Sequence, residues 1–202
     1  MSVREIAMGA GVIPFCVHGD EVCFLLHKTF SGRRAGCLVD FGGGAKPGET
    51  HVQTAVREFI EETESMFFCA NPADASPGRA SFDAQVPLVR ALFDRTLTVS
   101  PGWWCSRADS TKGKRRDWKT FFIEFEYRDV TAMNREWASD AGRRFARRRE
   151  LVWVPASILC GYYRHAPGKL WKRVRELEHA TETIQAIVEC MHARRETRAG
   201  LE

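Results

Sequence analysis

The chain lacks most features that would place it outside the ordinary globular classes. It has no apolar run near the roughly 20 residues that a bilayer-spanning helix needs. Its opening stretch, MSVREIAMGAGVIPF, has no continuous apolar segment ending at a small-residue cleavage site, so neither a secretory leader nor a membrane anchor is expected. It also lacks internal repeats, a CxxC pair and any Cys/His cluster of zinc-like spacing. The seven cysteines are odd in number and dispersed, and Cys16 and Cys23 sit inside apolar, strand-like runs. That usage suits buried free thiols in a reducing, intracellular compartment, cytoplasmic in the first instance and with an organelle left open.

What is present is enough for a core. Apolar residues make up 44% and charged residues 28%, which suits a single domain over 1–202 with its core at about 8–160. Residues 10–30 are expected to form two strands around the turn His18-Gly19-Asp20, and a loop with Gly32, Arg33, Arg34 and Gly36 leads to Leu38-Val39-Asp40-Phe41 and the Gly-rich turn. Residues 71–84, rich in Pro, Ala, Ser and Gly, are expected to form a loop, and 86–99 one or two strands. In 117–129, Phe121, Ile123, Phe125 and Tyr127 alternate with Phe122, Glu124 and Glu126, the period of a strand buried on one face or both. Residues 131–149 read as a loop or short helix, and 150–159 as a strand stopped by Pro155. From Pro167 to about Arg195, Leu170, Val174, Leu177, Thr181, Ile184, Val188 and Met191 recur in steps of four and three, predicting a long C-terminal helix.

The helix predicted within 50–67 has a more specific pattern. On a helical wheel Glu58, Glu61 and Glu62 fall within roughly 100° of one another, opposite Val52, Ala55, Val56, Phe59 and Ile60. Like charges at these spacings destabilise an isolated helix by a few tenths of a kcal/mol per pair. Many acidic faces are merely solvated, but a divalent cation among these three would cancel the repulsion, because hard cations take oxygen ligands. Upstream, Gly42-Gly43-Gly44 permits a tight path that brings carbonyl oxygens close, and Glu49 is placed to pair with Arg57.

The ordered set Gly43, Glu49 and Arg57-Glu58-Phe59-Ile60-Glu61-Glu62 resembles the box of the Nudix hydrolases, G-x5-E-x7-R-E-U-x-E-E-x-G-U with U a bulky apolar residue. The likeness in element order covers about residues 8–160. It implies an α/β/α sandwich with a mixed β-sheet, and metal-dependent hydrolysis, with Mg²⁺ or Mn²⁺, of a nucleoside diphosphate linked to another moiety. It implies Glu58, Glu61 and Glu62 as metal ligands with the Gly42 carbonyl beside them, Arg57 and Glu49 as the pair orienting the helix, and Glu58 as general base, with Glu150 or Glu124 as alternatives. The chain departs where the box should end in glycine and a bulky residue: it has Glu64 and Ser65. Without that glycine the helix is expected to run on toward Phe68 or to end differently.

The box does not name the substrate. Basic residues concentrate in 112–119 and 142–150 although the net charge is only +4. Lys112, Lys114, Arg115 and Arg116 with Trp118 mix cations and an aromatic ring in the manner of nucleotide or RNA contacts, although an exposed hairpin tip has the same composition. The leading expectation is a nucleotide-type small molecule: a nucleoside triphosphate, a dinucleoside polyphosphate or a nucleotide sugar. The 5′ end of an RNA, a diphosphoinositol, and a non-catalytic nucleotide- or RNA-binding subunit of a larger assembly are the alternatives. No membrane partner is expected, and nothing in the sequence sets an oligomeric state.

Overall fold

The computed structural model describes residues 7–75, 78–107, 116–140, 144–145 and 147–199. The hairpin β1 (Ala7–His18) and β2 (Glu21–Thr29) turns at Gly19, whose φ of +59° is the left-handed value a tight turn demands. Strands β3 (Leu38–Val39) and β4 (Phe41–Gly44) lead into helix α1 (His51–Glu62). Then come α2 (Arg79–Val99), β5 (Trp104–Ser106), β6 (Arg116–Glu124), α3 (Thr131–Ser139), β7 (Arg149–Pro155) and α4 (Ala156–His165). The short α5 (Lys172–Arg175) and the long α6 (Ala180–Ala199) close the chain.

The seven strands form one mixed sheet, ordered β3-β2-β1-β6-β5, with β4 also paired to β1 and β7 to β2. The β1–β6 pairing is parallel, running from Ala7 opposite Arg116 to Phe15 opposite Glu124; the other pairings are antiparallel. The alternation of β6 serves two cores. Phe121 and Ile123 join Phe41, Phe59, Phe67 and Phe93 on the side of α1 and α2, while Phe122 joins Phe15, Phe24, Leu159 and Ile184 on the side of α4 and α6. Helices thus cover both faces, and the architecture is an α/β/α sandwich with a long C-terminal helix. Among the described residues no helix is long and apolar enough to cross a membrane.

Three expectations are corrected. Residues 79–84, expected within a loop, and 86–99, expected as one or two strands, belong to α2, with Pro87 inside it, because Val89, Phe93 and Thr96 lie on one helical face and bury there. The expected helix from Pro167 to Arg195 is interrupted before Ala180, where His179 takes φ +56°. The interruption lets α5 turn Arg173 and Val174 into the sheet's flank, where both are buried.

Candidate active site

Helix α1 is set by its two ends and its apolar back. Thr50 and Gln53 form a reciprocal capping box, the Thr50 hydroxyl accepting from the Gln53 amide (3.2 Å) and the Gln53 side chain accepting from the Thr50 amide (2.8 Å). Ala55, Val56, Phe59 and Ile60 are buried against the sheet, which leaves the acidic face toward a cleft of about 670 Å³. A β-carbon on Gly43 would collide with the Glu58 carboxylate, so this glycine makes room for the acid.

Every N–H of the Arg57 guanidinium is engaged. Nε and Nη2 bind the two oxygens of Glu49 at 2.7 and 3.0 Å, Nη2 also donates to the Gly44 carbonyl at 2.8 Å, and Nη1 reaches Glu58 Oε1 at 2.6 Å and Glu61 Oε2 at 2.9 Å. The forked Glu49–Arg57 pair ties the loop to the helix. Its hydrogen bonds hold the Glu49 carboxyl down at about 2. Burial pulls the Arg57 pKa down, but the bonds to Glu49 and Glu58 outweigh it and leave the value raised.

Glu62 behaves differently from its two neighbours. Its Oε2 accepts from the Gly42 amide at 2.8 Å and its Oε1 lies 3.6 Å from Arg149 Nη2. Burial pushes its pKa up to about 7, against the pull of Arg173 and Arg149 and the Gly42 amide. The Gly42 carbonyl, expected beside the metal ligands, accepts from Arg173 Nη1 at 2.6 Å. Arg173 Nε also binds Asp40 Oδ1 at 2.6 Å, and its guanidinium lies over the Trp118 ring.

The end of the box keeps the path of its motif without the glycine. The Glu64 amide donates to the Glu61 carbonyl (3.2 Å) and the Ser65 amide to that of Ile60 (3.0 Å), the paired bonds of a Schellman stop. Glu64 and Ser65 take φ of +51° and +58°, so the helix ends at Glu62 and does not continue toward Phe68. This turn delivers the Glu64 carboxylate to the cleft, 3.3 Å from Arg149 Nη1.

The cleft therefore joins Glu58, Glu61, Glu62 and Glu64 with Lys46, Arg57, Arg79, Arg147 and Arg149. Sequence reasoning missed Lys46, Arg79 and Arg147: each is a single cation whose place in the cleft depends on tertiary packing, and only the density of arginines in 142–150 hinted at one of them. Of the residues expected to bind substrate, Lys112, Lys114 and Arg115 lie outside the described residues, and Arg116 only opens β6. Trp118 is corrected: it is 6% exposed, its indole N–H bonds Thr120, and its ring packs on Gly9 and Arg173, which leaves it no free stacking face. Neither alternative base lines the cleft. Glu124 pairs with Arg194 at 3.0 Å, and Glu150 sits in β7 opposite Lys28.

Among the described residues no three His, Cys, Asp or Glu side chains converge as a ready-made metal centre. The donor chemistry nevertheless fits a hard cation at one point: Arg57 Nη1 is itself a cation held by oxygens of both Glu58 and Glu61, so those carboxylates already aim at one positive charge. Glu62, tied to Gly42 and Arg149, and the Gly42 carbonyl, held by Arg173, do not share that point.

No protein-family model matches the chain, and no curated protein does. Solved structures similar to it include an Ap4A hydrolase binary complex from C. elegans, at 11% identity and a TM-score of 0.49, covering 93% of this chain and 99% of that one. A NUDIX hydrolase from Alicyclobacillus acidocaldarius is similar at 14% identity and a TM-score of 0.46, covering 94% of each. The NUDIX domain of Shewanella oneidensis NrtR, complexed with ADP ribose, follows at 12% and 0.37, covering 77% of each. These are distant likenesses, and the weight of a functional reading rests on the chain's own residues.

Proposed function

We propose that this chain is a Nudix-type hydrolase that cleaves a pyrophosphate bond in a nucleoside diphosphate-linked small molecule. The observation that carries the reading is the convergence of Glu58 and Glu61 on one cation position, on a rigid helix at the wall of a cleft that Glu62 and Glu64 share with Lys46, Arg79, Arg147 and Arg149. Glu58 and Glu61 would hold Mg²⁺ or Mn²⁺, with Glu62 next to them on the helix. Such an ion supplies charge neutralisation and a lowered water pKa when bound. Lys46, Arg79, Arg147 and Arg149 offset the negative charge of the phosphates and hold them in line for attack. Water attacks one phosphorus, the bridging oxygen leaves with the other phosphate, and Glu58 takes the water's proton. The RNA reading rested on the clusters 112–119 and 142–149; Arg147 and Arg149 of the second line the cleft, where they serve a small nucleotide's phosphates equally well.

The test is product formation with Mg²⁺ or Mn²⁺ across nucleoside triphosphates, dinucleoside polyphosphates, nucleotide sugars, inositol pyrophosphates and capped RNA. Metal-dependent turnover is expected on a nucleotide, and Glu61→Gln should lower it roughly a hundredfold or more with the melting temperature retained. Absence of turnover on every compound, with nucleotide or RNA binding intact, would instead make the protein a binding subunit.

A further inference from the structure

Beside the charged cleft lies a second pocket of about 360 Å³, between the box loop and α2. The two adjoin: Phe82 and Arg57 line both. Their linings differ in balance. The cleft is walled mainly by carboxylates and cations, whereas the second pocket sets Pro47, Val56, Phe82 and Val86 beside the mutually paired Glu49 and Arg57, with Gln53 and Arg90 also lining it. The α2 wall is built at helical spacing. Arg79, Phe82, Val86 and Arg90 fall within about 80° of one another on the helix, overlapping the face that buries Val89 and Phe93. One helix face thus presents a cation to the phosphate cleft and, one turn on, an aromatic ring and a valine to the apolar pocket.

We infer that this pocket takes the nucleobase of the substrate, stacked on Phe82, while the phosphates lie in the cleft under Arg79 and Lys46. The inference rests on the proposed pyrophosphatase reading and adds to it a recognition subsite. Three observations select a base. The volume of about 360 Å³, near the lower end of ligand pockets at about 300–1,000 Å³, is ample for one ring system. Phe82, Val86, Val56 and Pro47 offer aromatic and aliphatic surface to a flat π-face, while the charges of Glu49 and Arg57 are already paired with each other and Arg90 with Asp94. Gln53 Oε1 is committed to the Thr50 amide, which leaves its Nε2 donors as the group to meet a ring nitrogen or carbonyl. Phe82 and Val86 are specificity residues in this assignment and take no part in bond cleavage.

The test is equilibrium binding of ADP and of inorganic pyrophosphate, with metal removed by EDTA, so that it does not depend on turnover. Phe82→Ala should weaken ADP about tenfold or more and leave pyrophosphate within twofold, because only the base loses its stacking partner. Val86→Glu, which places a carboxylate in the pocket without touching the cleft, should do the same and guards against a fold defect in the first variant. ADP affinity unchanged in both variants, equal losses for ADP and pyrophosphate, or no ADP binding by the unmodified protein would each overturn the inference. If ADP binding depends on Phe82 but no nucleotide is hydrolysed, the subsite stands and the pyrophosphatase reading falls. If hydrolysis occurs and both variants bind ADP normally, the reverse holds.

Discussion

Two buried arginines, Arg57 and Arg173, hold the site from opposite sides, and they do so in different ways. Arg57 belongs to the box itself: its partners Glu49, Gly44, Glu58 and Glu61 all lie within 13 residues of it. Its charges border a cleft, and Glu61 keeps a side-chain exposure of 42%. Arg173 arrives from α5, 133 residues beyond Asp40, and binds that fully buried carboxylate together with the Asp40 and Gly42 carbonyls. The first arginine organises charges that stay near water, and the second compensates one that has none. The same side chain therefore gathers carboxylates beside a cleft in one place and neutralises a fully buried one in the other.

The largest effect expected from breaking this comparison is on stability. Arg173→Ala leaves the Asp40 carboxylate in the core with only the Thr120 hydroxyl beside it at 3.3 Å, and should cost about 3–5 kcal/mol in urea unfolding. Replacing both partners, Arg173→Met with Asp40→Leu, should recover most of that loss, because no unpaired buried charge remains. Arg57→Met should cost less, since Glu58 and Glu61 can turn to cleft water. Equal costs for Arg57→Met and Arg173→Ala would show that the two arginines do not differ as described.

Acid unfolding sharpens the same contrast. On the Arg173 side, His27 is fully buried with neither ring nitrogen bonded, and burial, reinforced by Arg149 and Arg173, holds its pKa well below 6.5. The unfolded chain then binds a proton that the folded chain refuses, so stability falls as pH drops below 6.5. On the Arg57 side, Glu49 is held at about 2 against an ordinary 4.5, so its contribution is complete above 4.5 and is lost as pH falls from there through 2. His27→Phe should flatten the profile just below pH 6.5, and Glu49→Gln should flatten it below 4.5. A profile that neither substitution changes would show that these groups do not set the acid response.

The contrast also explains what could be read in advance. The hairpin, α1 and the alternation of β6 were legible because each depends on neighbours close in sequence: a turn glycine, an apolar stripe at helical spacing, a period of two. The Glu49–Arg57 pair was legible for the same reason. The Asp40–Arg173 bond was not, because it joins distant segments, and with it went the arginine that donates to the Gly42 carbonyl. Helix α2 was hidden by Pro87 and by β-branched and aromatic residues whose burial, not their propensity, selects the helix. The basic residues of the cleft were invisible singly, since Lys46, Arg79 and Arg147 come from three unconnected segments.

Glu64 stands between these cases, and it carries the smallest expected effect. The sequence marked it as a departure from the box, while the backbone shows that the departure is one of side chain alone: the helix stop is formed with a glutamate in the left-handed position. An L-residue there costs roughly 1–2 kcal/mol that glycine does not, and here the side chain that imposes this cost also reaches Arg149. The two contributions separate by comparing substitutions that both remove the carboxylate. Glu64→Ala keeps the strained conformation and Glu64→Gly relieves it, so the glycine variant should be the more stable by about 1 kcal/mol. Equal stability would mean that the turn relaxes once the carboxylate is gone, and that the bond to Arg149, not the helix stop, is what holds Glu64 in its left-handed conformation.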